Sequence, residues 1–342
     1  MNTIQASAPT TQHTIEADWQ LNSICNMKCG YCFSTTNPTI ARSTVIDPAR
    51  CLEFFDATGE VWSLHMTGGE PFLTSGFVKL CSVLSSRHFL SLNSNLCSAL
   101  VRDFAEAVDR SHVQYVHCCL HLEERGRLNL WKALEDNLRA LTRRGFLVFA
   151  SQVMTSKTFA VFPQAAERLA DLGVVLIPKF LQGLFEGKWY PHAYSEKEKA
   201  VFCTLSEEAE AGLRSLTPLL MQQRVTVNPL RDREFLSGFP IFRGVGCSAG
   251  ARFFTIQSNG NIYRCGSNHL LGNIEKDIFG PLPPYTPCDS SYYPYFCLRY
   301  SELAQSPSGA TLIPLEVPPS TGLQTIYGLV RIGRKVLKQV IS

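Results

Sequence analysis

The sequence predicts an α/β fold, an open, partial (β/α)6 barrel followed by a small C-terminal β-hairpin unit. Three observations carry this. Short apolar runs alternate with amphipathic segments from about residue 17 to 225, the pattern of strand–helix units in a parallel sheet. Two turns rich in Cys or Gly follow the first two strands, at the end of a barrel where enzymes place their chemistry. An Asn259-Gly260 pair between apolar runs marks a hairpin beyond the barrel.

Residues 1–16 are expected to be a disordered N-terminus before the first strand. The strand candidates are Asp18–Leu21, Val61–Met66, Phe89–Asn93, Val113–Leu120, Phe146–Val153 and Val174–Phe180. Between them, Asp47-Pro48 reads as a helix cap with a first-turn proline. Further amphipathic stretches run near Phe77–Leu84, Ala99–Val108, Leu130–Thr142 and Phe162–Leu172. Six such units make a TIM-like partial barrel over 17–225, with right-handed crossovers expected. Residues 195–224 read as a linking helix. The segment 240–300 is rich in Gly, Cys and aromatics, 305–322 is a Ser/Pro/Gly-rich linker, and 323–342 is a basic amphipathic helix candidate.

Composition narrows the function. A net charge of +3 is too mild to argue for a nucleic-acid partner. No secretory signal precedes the 13 Cys, so reduced cytoplasmic thiols with metal centres fit better than a disulfide framework. No apolar run approaches the ~20 residues that span a bilayer.

The most informative run is Cys25-Asn-Met-Lys-Cys29-Gly-Tyr-Cys32, a C-x3-C-x2-C spacing. In a chain with this many Cys, it arises by chance with a probability of about 0.02. Three thiolates from one loop can hold three irons of a 4Fe–4S cube, which normally takes four Cys, leaving one iron open. A zinc loop wants a fourth ligand at a local spacing, and none is close in sequence. The second run is Thr67-Gly68-Gly69-Glu70-Pro71-Phe72, after the second strand. Its glycines allow close backbone approach, and its carboxylate can accept from an ammonium group.

Together the two runs resemble the radical S-adenosylmethionine (radical SAM) superfamily. The resemblance rests on the cysteine triplet, on Tyr31 before its last member, and on a GGE run one βα unit later. It implies that the open iron binds S-adenosylmethionine. An electron from an outside flavodoxin or ferredoxin then cleaves the cofactor to methionine and a 5′-deoxyadenosyl radical, which takes a hydrogen atom from substrate. Gly68, Gly69 and Glu70 would hold the methionine ammonium, with Tyr31 near the adenine. Asn93, Ser94 and Asn95, ending the third strand, would touch ribose or methionine carboxylate, or simply form a turn.

Cys247, Cys265, Cys288 and Cys297 form a second candidate metal set. The hairpin at Asn259-Gly260 folds Cys247 and Cys265 toward the same end, and four Cys could ligate a full cluster. Zinc, or no metal at all, is the alternative. The C-x12-G-x4-C pattern and the following Leu271-Gly272-Asn273-Ile274 resemble the twitch or SPASM auxiliary-cluster extension. That resemblance implies a second 4Fe–4S cluster, in a shortened form with four Cys.

On the fourth strand, period two puts His117, Cys119 and His121 on one face and Cys118 on the other. A lumenal His could be a base or substrate contact. A lumenal Cys118 or Cys119 could return a hydrogen atom to a substrate radical. Ser151, Gln152 and Lys179 are further lumenal candidates, with Gln152 placed among the cofactor contacts. The run Gly187–Tyr194 could cap a substrate at the mouth. Cys51, Cys81, Cys97 and Cys203 read as core. In the tail, an apolar stripe opposite Arg331, Arg334, Lys335 and Lys338 could contact an anionic membrane surface, with docking onto the barrel the preferred reading.

The expected function is therefore a cytoplasmic radical SAM enzyme of oxidoreductase type. The barrel begins close to the first residue, which leaves no room for a cobalamin or peptide-leader domain. This favours a small-molecule or carbohydrate substrate over a peptide. Peptide maturation, redox-neutral epimerisation and a non-enzymatic metal-binding regulator or scaffold are the alternatives.

Overall fold

The computed structural model describes residues 14–32, 47–216, 236, 242–267, 269–289 and 300. Six parallel strands run in chain order: β1 (Ile15–Gln20), β2 (Trp62–Thr67), β3 (Phe89–Ser94), β4 (Val113–Cys119), β5 (Val148–Met154) and β6 (Val175–Phe180). The partial barrel expected from the sequence is present. The first strand starts three residues before its sequence candidate, because Ile15 is already in register with Trp62 of β2.

Helices connect the strands. In α1 (Pro48–Ala57), the Asp47 carboxylate accepts from Ala49 N–H and Pro48 opens the first turn. Its buried Cys51, Phe54 and Phe55 face the sheet. α2 (Phe77–Leu84) and α3 (Leu100–Ala107) follow β2 and β3. The helix expected near Leu130–Thr142 is α5 (Trp131–Arg143), and a further short helix, α4 (Leu122–Arg127), precedes it. The break falls where Asn129 takes a left-handed φ of 54°, which Asn tolerates better than most residues. α6 (Thr158–Ala170) precedes β6. A short hairpin, β7 (Gly183–Phe185) and β8 (Lys188–Tyr190), turns through Gly187 at φ 74°. α7 (Glu196–Leu216) then packs against β6.

The strands have two unlike faces. Ala17, Trp19, Leu64, Met66, Leu90, Leu92, Val116, Cys118 and Ala150 are buried in the apolar layer under the helices. The alternate positions turn inward and are largely polar. The apolar layer supplies the hydrophobic driving force, and the inner face is left free for chemistry.

Beyond α7, β10 (Phe253–Ile256) joins the same sheet. It runs parallel to β1, from Glu16↔Phe253 to Trp19↔Ile256. β11 (Asn261–Tyr263), β12 (Leu270–Asn273) and β13 (Ile278–Phe279) extend it antiparallel. The C-terminal strands thus continue the barrel sheet past β1. β9 (Gly246–Cys247) pairs separately with β14 (Thr286–Pro287). Cys297, the 305–322 linker and the 323–342 helix candidate lie outside the described residues. Among the described residues, no helix is long and apolar enough to cross a membrane.

Candidate active site

The cysteine loop leaves the carboxyl end of β1 and is fastened to the Gly-Gly turn after β2. Gly69 N–H donates to Asn22 O (2.8 Å) and Glu70 N–H to Ile24 O (2.7 Å). A Cβ on Gly69 would lie 2.3 Å from Ile24 O, and one on Gly68 would lie 2.7 Å from Asn22 O. Both glycines are therefore required by loop-on-loop packing. Fully buried Asn22 adds a 3.0 Å bond from its amide to Glu70 O. Within the loop, Cys32 N–H donates to Cys29 O (3.0 Å), closing a turn.

The three thiols influence one another. Burial pushes Cys29 up to about 12, and the charges of Cys32 and Cys25 push the same way. Burial also raises Cys25. Three thiols in one short loop, Cys29 buried and Cys25 and Cys32 half-buried, would be held as thiolates by a positively charged soft centre, and iron fits that donor set. Among the described residues, no three His, Cys, Asp or Glu side chains are arranged to hold a single metal ion.

Glu70 is 2 % exposed and engaged by the protein itself. Its oxygens accept from Phe72 N–H (3.2 Å), Ser94 Oγ (2.7 Å) and Asn95 N–H (2.8 Å). It ties the Gly-Gly turn to the end of β3. Burial raises its pKa, and these donors oppose the rise. Tyr31 crosses from the cysteine loop to α4, its hydroxyl 3.1 Å from His121 Nδ1 and its ring edge-on to Phe185. Gln152 reaches the same place, bonding Tyr31 and accepting from Leu122 N–H (2.9 Å).

No protein-family model matches the chain, and no curated protein matches it. Solved structures do. The chain is similar to Streptococcus suis SuiB at 14 % identity and a TM-score of 0.51, covering 78 % of this chain and 64 % of SuiB. It thus spans a little under two thirds of SuiB's length. It is also similar to polyhistidine-tagged anSMEcpe with bound AdoMet at 17 % identity and a TM-score of 0.52, covering 76 % and 75 %. Native anSMEcpe with bound AdoMet gives 18 % and 0.51, covering 78 % and 80 %. This chain shares the fold of these structures.

In that fold, the inner faces of the six strands make a polar chamber beneath the cysteine loop. His117 bridges Asn93 Oδ1 (2.8 Å, at Nδ1) and Ser151 Oγ (2.7 Å, at Nε2), stacked on Phe149. Burial and the nearby Lys179 charge drop its pKa to about 3, so it is neutral at physiological pH. Cys119 shares this face. Burial pushes its pKa up to about 12, against the pull of Lys179, which keeps the thiol protonated. Cys118 points the other way and is fully buried in the apolar layer. His121 lies beyond the strand, with left-handed φ 49° at the start of α4, so the strand period does not govern it.

One level deeper, register aligns Asp18, His65, Ser91 and Tyr115 across β1 to β4. His65 bonds Ser91 through Nδ1, and its Nε2 lies 3.6 Å from Glu16. The Asp18 backbone is paired in the sheet, and no hydrogen bond from a described residue is recorded at its carboxylate. Burial raises its pKa from 3.8 to about 6, with the charges of His65 and Lys179 opposing. Asp18, Glu16, His65 and Tyr115 are absent from the sequence candidates. The period-two polarity of Glu16, Asp18 and Gln20 was the available signal.

In the C-terminal strands, Cys247 and Cys265 are both buried and sense each other and Cys288 electrostatically. Arg264, 3 % exposed, holds the strands beside them, donating to Ala249 O (3.1 Å), Pro287 O (2.8 Å) and Thr286 O (2.5 Å). Cys247 precedes β10 and Cys265 follows the antiparallel β11, so register sets this trio at the amino end of the barrel strands. The Cys25 loop follows their carboxyl end. The six residues of β1 separate the two levels by roughly 20 Å.

Proposed function

We propose that this chain is a radical SAM enzyme that removes a hydrogen atom from a small polar substrate held in the barrel chamber. The observation that carries the reading is the docking of the Cys25–Cys32 loop onto the Gly68–Glu70 turn at the barrel mouth. Cys25, Cys29 and Cys32 would hold a 4Fe–4S cluster with one iron free, and Gly68–Glu70 would border the S-adenosylmethionine beside it. When bound, the pair supplies a 5′-deoxyadenosyl radical. The chain's own residues enclose the substrate: neutral His117 fixes Asn93 and Ser151 on one wall, and Asp18 presents a carboxylate with open acceptor positions.

A polar wall with a carboxylate suits a substrate bearing hydroxyl or amino groups, which supports a small molecule or carbohydrate. Net two-electron oxidation is the preferred outcome, because it uses what this chain holds at both ends of the chamber. Asp18, with a pKa near 6, can take the proton that such an oxidation releases. Cys247, Cys265 and Cys288 (with Cys297 as the sequence candidate for a fourth ligand) would hold the auxiliary cluster. A second reading, epimerisation, is favoured by one feature: Cys119 keeps a protonated thiol on the chamber wall. A peptide side chain reaching into the chamber has support from the similar SuiB, whose structure is also known bound to its precursor peptide SuiA.

Anaerobic reconstitution followed by S-adenosylmethionine and dithionite tests the proposal. It expects 5′-deoxyadenosine from the wild type and none from the Cys25→Ala, Cys29→Ala, Cys32→Ala protein. Reconstituted wild type that leaves the cofactor intact would return the chain to the scaffold reading.

A further inference from the structure

His117 of β4 is buried and stacked on Phe149 of β5, with ring centroids 4.8 Å apart at an interplanar angle of 21°. Both of its nitrogens are engaged. Nδ1 lies 2.8 Å from Asn93 Oδ1 on β3, and Nε2 lies 2.7 Å from Ser151 Oγ on β5. A carbonyl oxygen can only accept, so Nδ1 carries the proton and donates to Asn93. The ring is neutral, because burial and the Lys179 charge drop its pKa to about 3. Nε2 is then an acceptor and takes the hydroxyl proton of Ser151. At the chamber wall, half-buried Asn93 is left with its amide N–H pair, and Ser151 with oxygen lone pairs alone. Among the described residues, neither Asn93 Nδ2 nor Ser151 Oγ has a further hydrogen-bond partner.

The wall therefore offers one donor and one acceptor, the two oxygens that flank the ring being roughly 7 Å apart across it. A hydroxyl group satisfies either, since it both donates and accepts. An ammonium group cannot accept from Asn93, and a carboxylate cannot donate to Ser151. A ligand that leaves such groups unpaired is rejected strongly. We infer that His117 is a positioning residue that holds Asn93 as donor and Ser151 as acceptor, so that this level of the chamber selects two hydroxyl groups of a neutral polyol. The inference rests on the reading of the chamber as the substrate site and narrows the substrate class there. It assigns Asn93 to the substrate wall, in place of the cofactor contact expected from the sequence.

The test uses the reconstituted, oxidised protein in two NMR measurements. Nitrogen-15 labelling of histidine reads the tautomer of His117, whose signals are those lost in His117→Phe. Saturation-transfer titration reads the binding of two probes. One is myo-inositol, which presents hydroxyls all around its ring; the other is cyclohexanecarboxylate, an anion on a ring of the same size. His117 should show a protonated Nδ1 and a bare Nε2, and inositol should bind about tenfold more tightly than the carboxylate, or better. Ser151→Ala should remove most of that preference. His117→Phe keeps the stack on Phe149 and both contacting side chains but frees them to turn, and should remove it as well. A merely structural role would lower the melting temperature of His117→Phe and leave the preference of the folded protein unchanged. A protonated Nε2, no binding of inositol, carboxylate binding as tight as inositol, or variants that keep the wild-type preference would each overturn the inference. If 5′-deoxyadenosine still forms in that case, the functional reading stands. Inositol binding as expected in a wild type that leaves S-adenosylmethionine intact would sink the functional reading and keep the polyol site.

Discussion

Replacing Asp18 by Asn removes a charge from the chamber while keeping shape and hydrogen-bonding capacity. In the fold, burial lifts this carboxyl from 3.8 to about 6. A raised pKa means that the folded state disfavours the ionised form. The penalty is therefore small below the unfolded value and grows as pH rises through about 6. At about 1.36 kcal/mol per unit, linkage gives a gain for the Asn protein of about 0.5 kcal/mol at pH 4 and about 3 kcal/mol at pH 8. Asp18 keeps some contact with chamber water, so about 1–3 kcal/mol is our working range at pH 8. For a domain of this size, that corresponds to roughly 2–4 °C of melting temperature per kcal/mol. Glu16, His65, Tyr115, His117, Cys119 and Lys179 stand in both proteins, so the difference isolates Asp18.

The assay is urea or thermal unfolding of both proteins across pH 4–8, under argon with thiols reduced. The Asn protein should be the more stable at pH 8, converging on wild type toward pH 4, while substrate turnover falls. A residue that weakens the fold and is needed for turnover is what a binding site requires. An Asn protein less stable than wild type at pH 8, or a difference flat across the range, would refute this.

Three further outcomes follow from named contacts. Gly69→Ala puts a Cβ 2.3 Å from Ile24 O, so the cysteine loop should lose its docking, and reconstituted iron per chain should fall by more than half. Arg125→Met strips donors from the carbonyls of Asn95 and Leu120; we expect about 2–4 kcal/mol of destabilisation in denaturant titration. If the outcome is epimerisation, Cys119→Ala should abolish solvent deuterium entry into product while 5′-deoxyadenosine still forms, whereas Cys118→Ala, in the apolar layer, should leave deuterium entry intact.

The parts legible in the sequence were those set by short spacings. Cys25, Cys29, Cys32 and the Gly-Gly turn lie within single loops, and most of the six strands carry a short apolar run. The polar chamber was not legible, for a physical reason. In β1, Glu16, Asp18 and Gln20 alternate with Ile15, Ala17 and Trp19, as a strand with one solvated face would. Only closure of the sheet turns that face inward. Arg125 was hidden likewise: Glu123-Glu124-Arg125-Gly126-Arg127 reads as a solvated charge run, yet its middle cation is buried and ties Asn95 to Leu120. The Gly-Gly turn was seen, but its packing partner, the Asn22–Ile24 backbone, lies more than forty residues earlier, and no local pattern links them.

The sidedness of the sheet also constrains where a substrate can sit. The outer face is closed by helices and aromatic packing such as Trp19 against Phe55. The open edge at β1 is covered by β10, and the edge at β6 by α7. Tyr115, Phe149 and Ile177 pack against Ala209 and Leu213 of α7, which covers the β4–β6 side of the sheet. By register, a ligand entering at the mouth therefore passes the Cys25 loop first, then the level of Cys119, then that of His117, and then that of Asp18 and His65. The sequence of encounters follows from strand register alone. On the proposed function, it would put the hydrogen-bearing carbon near the mouth and a group bound by Asp18 about two residues, or roughly 7 Å, deeper. On that reading a substrate with its reactive C–H bond and its hydroxyl or amine about that far apart would reach both levels, and one with the two on the same carbon would not.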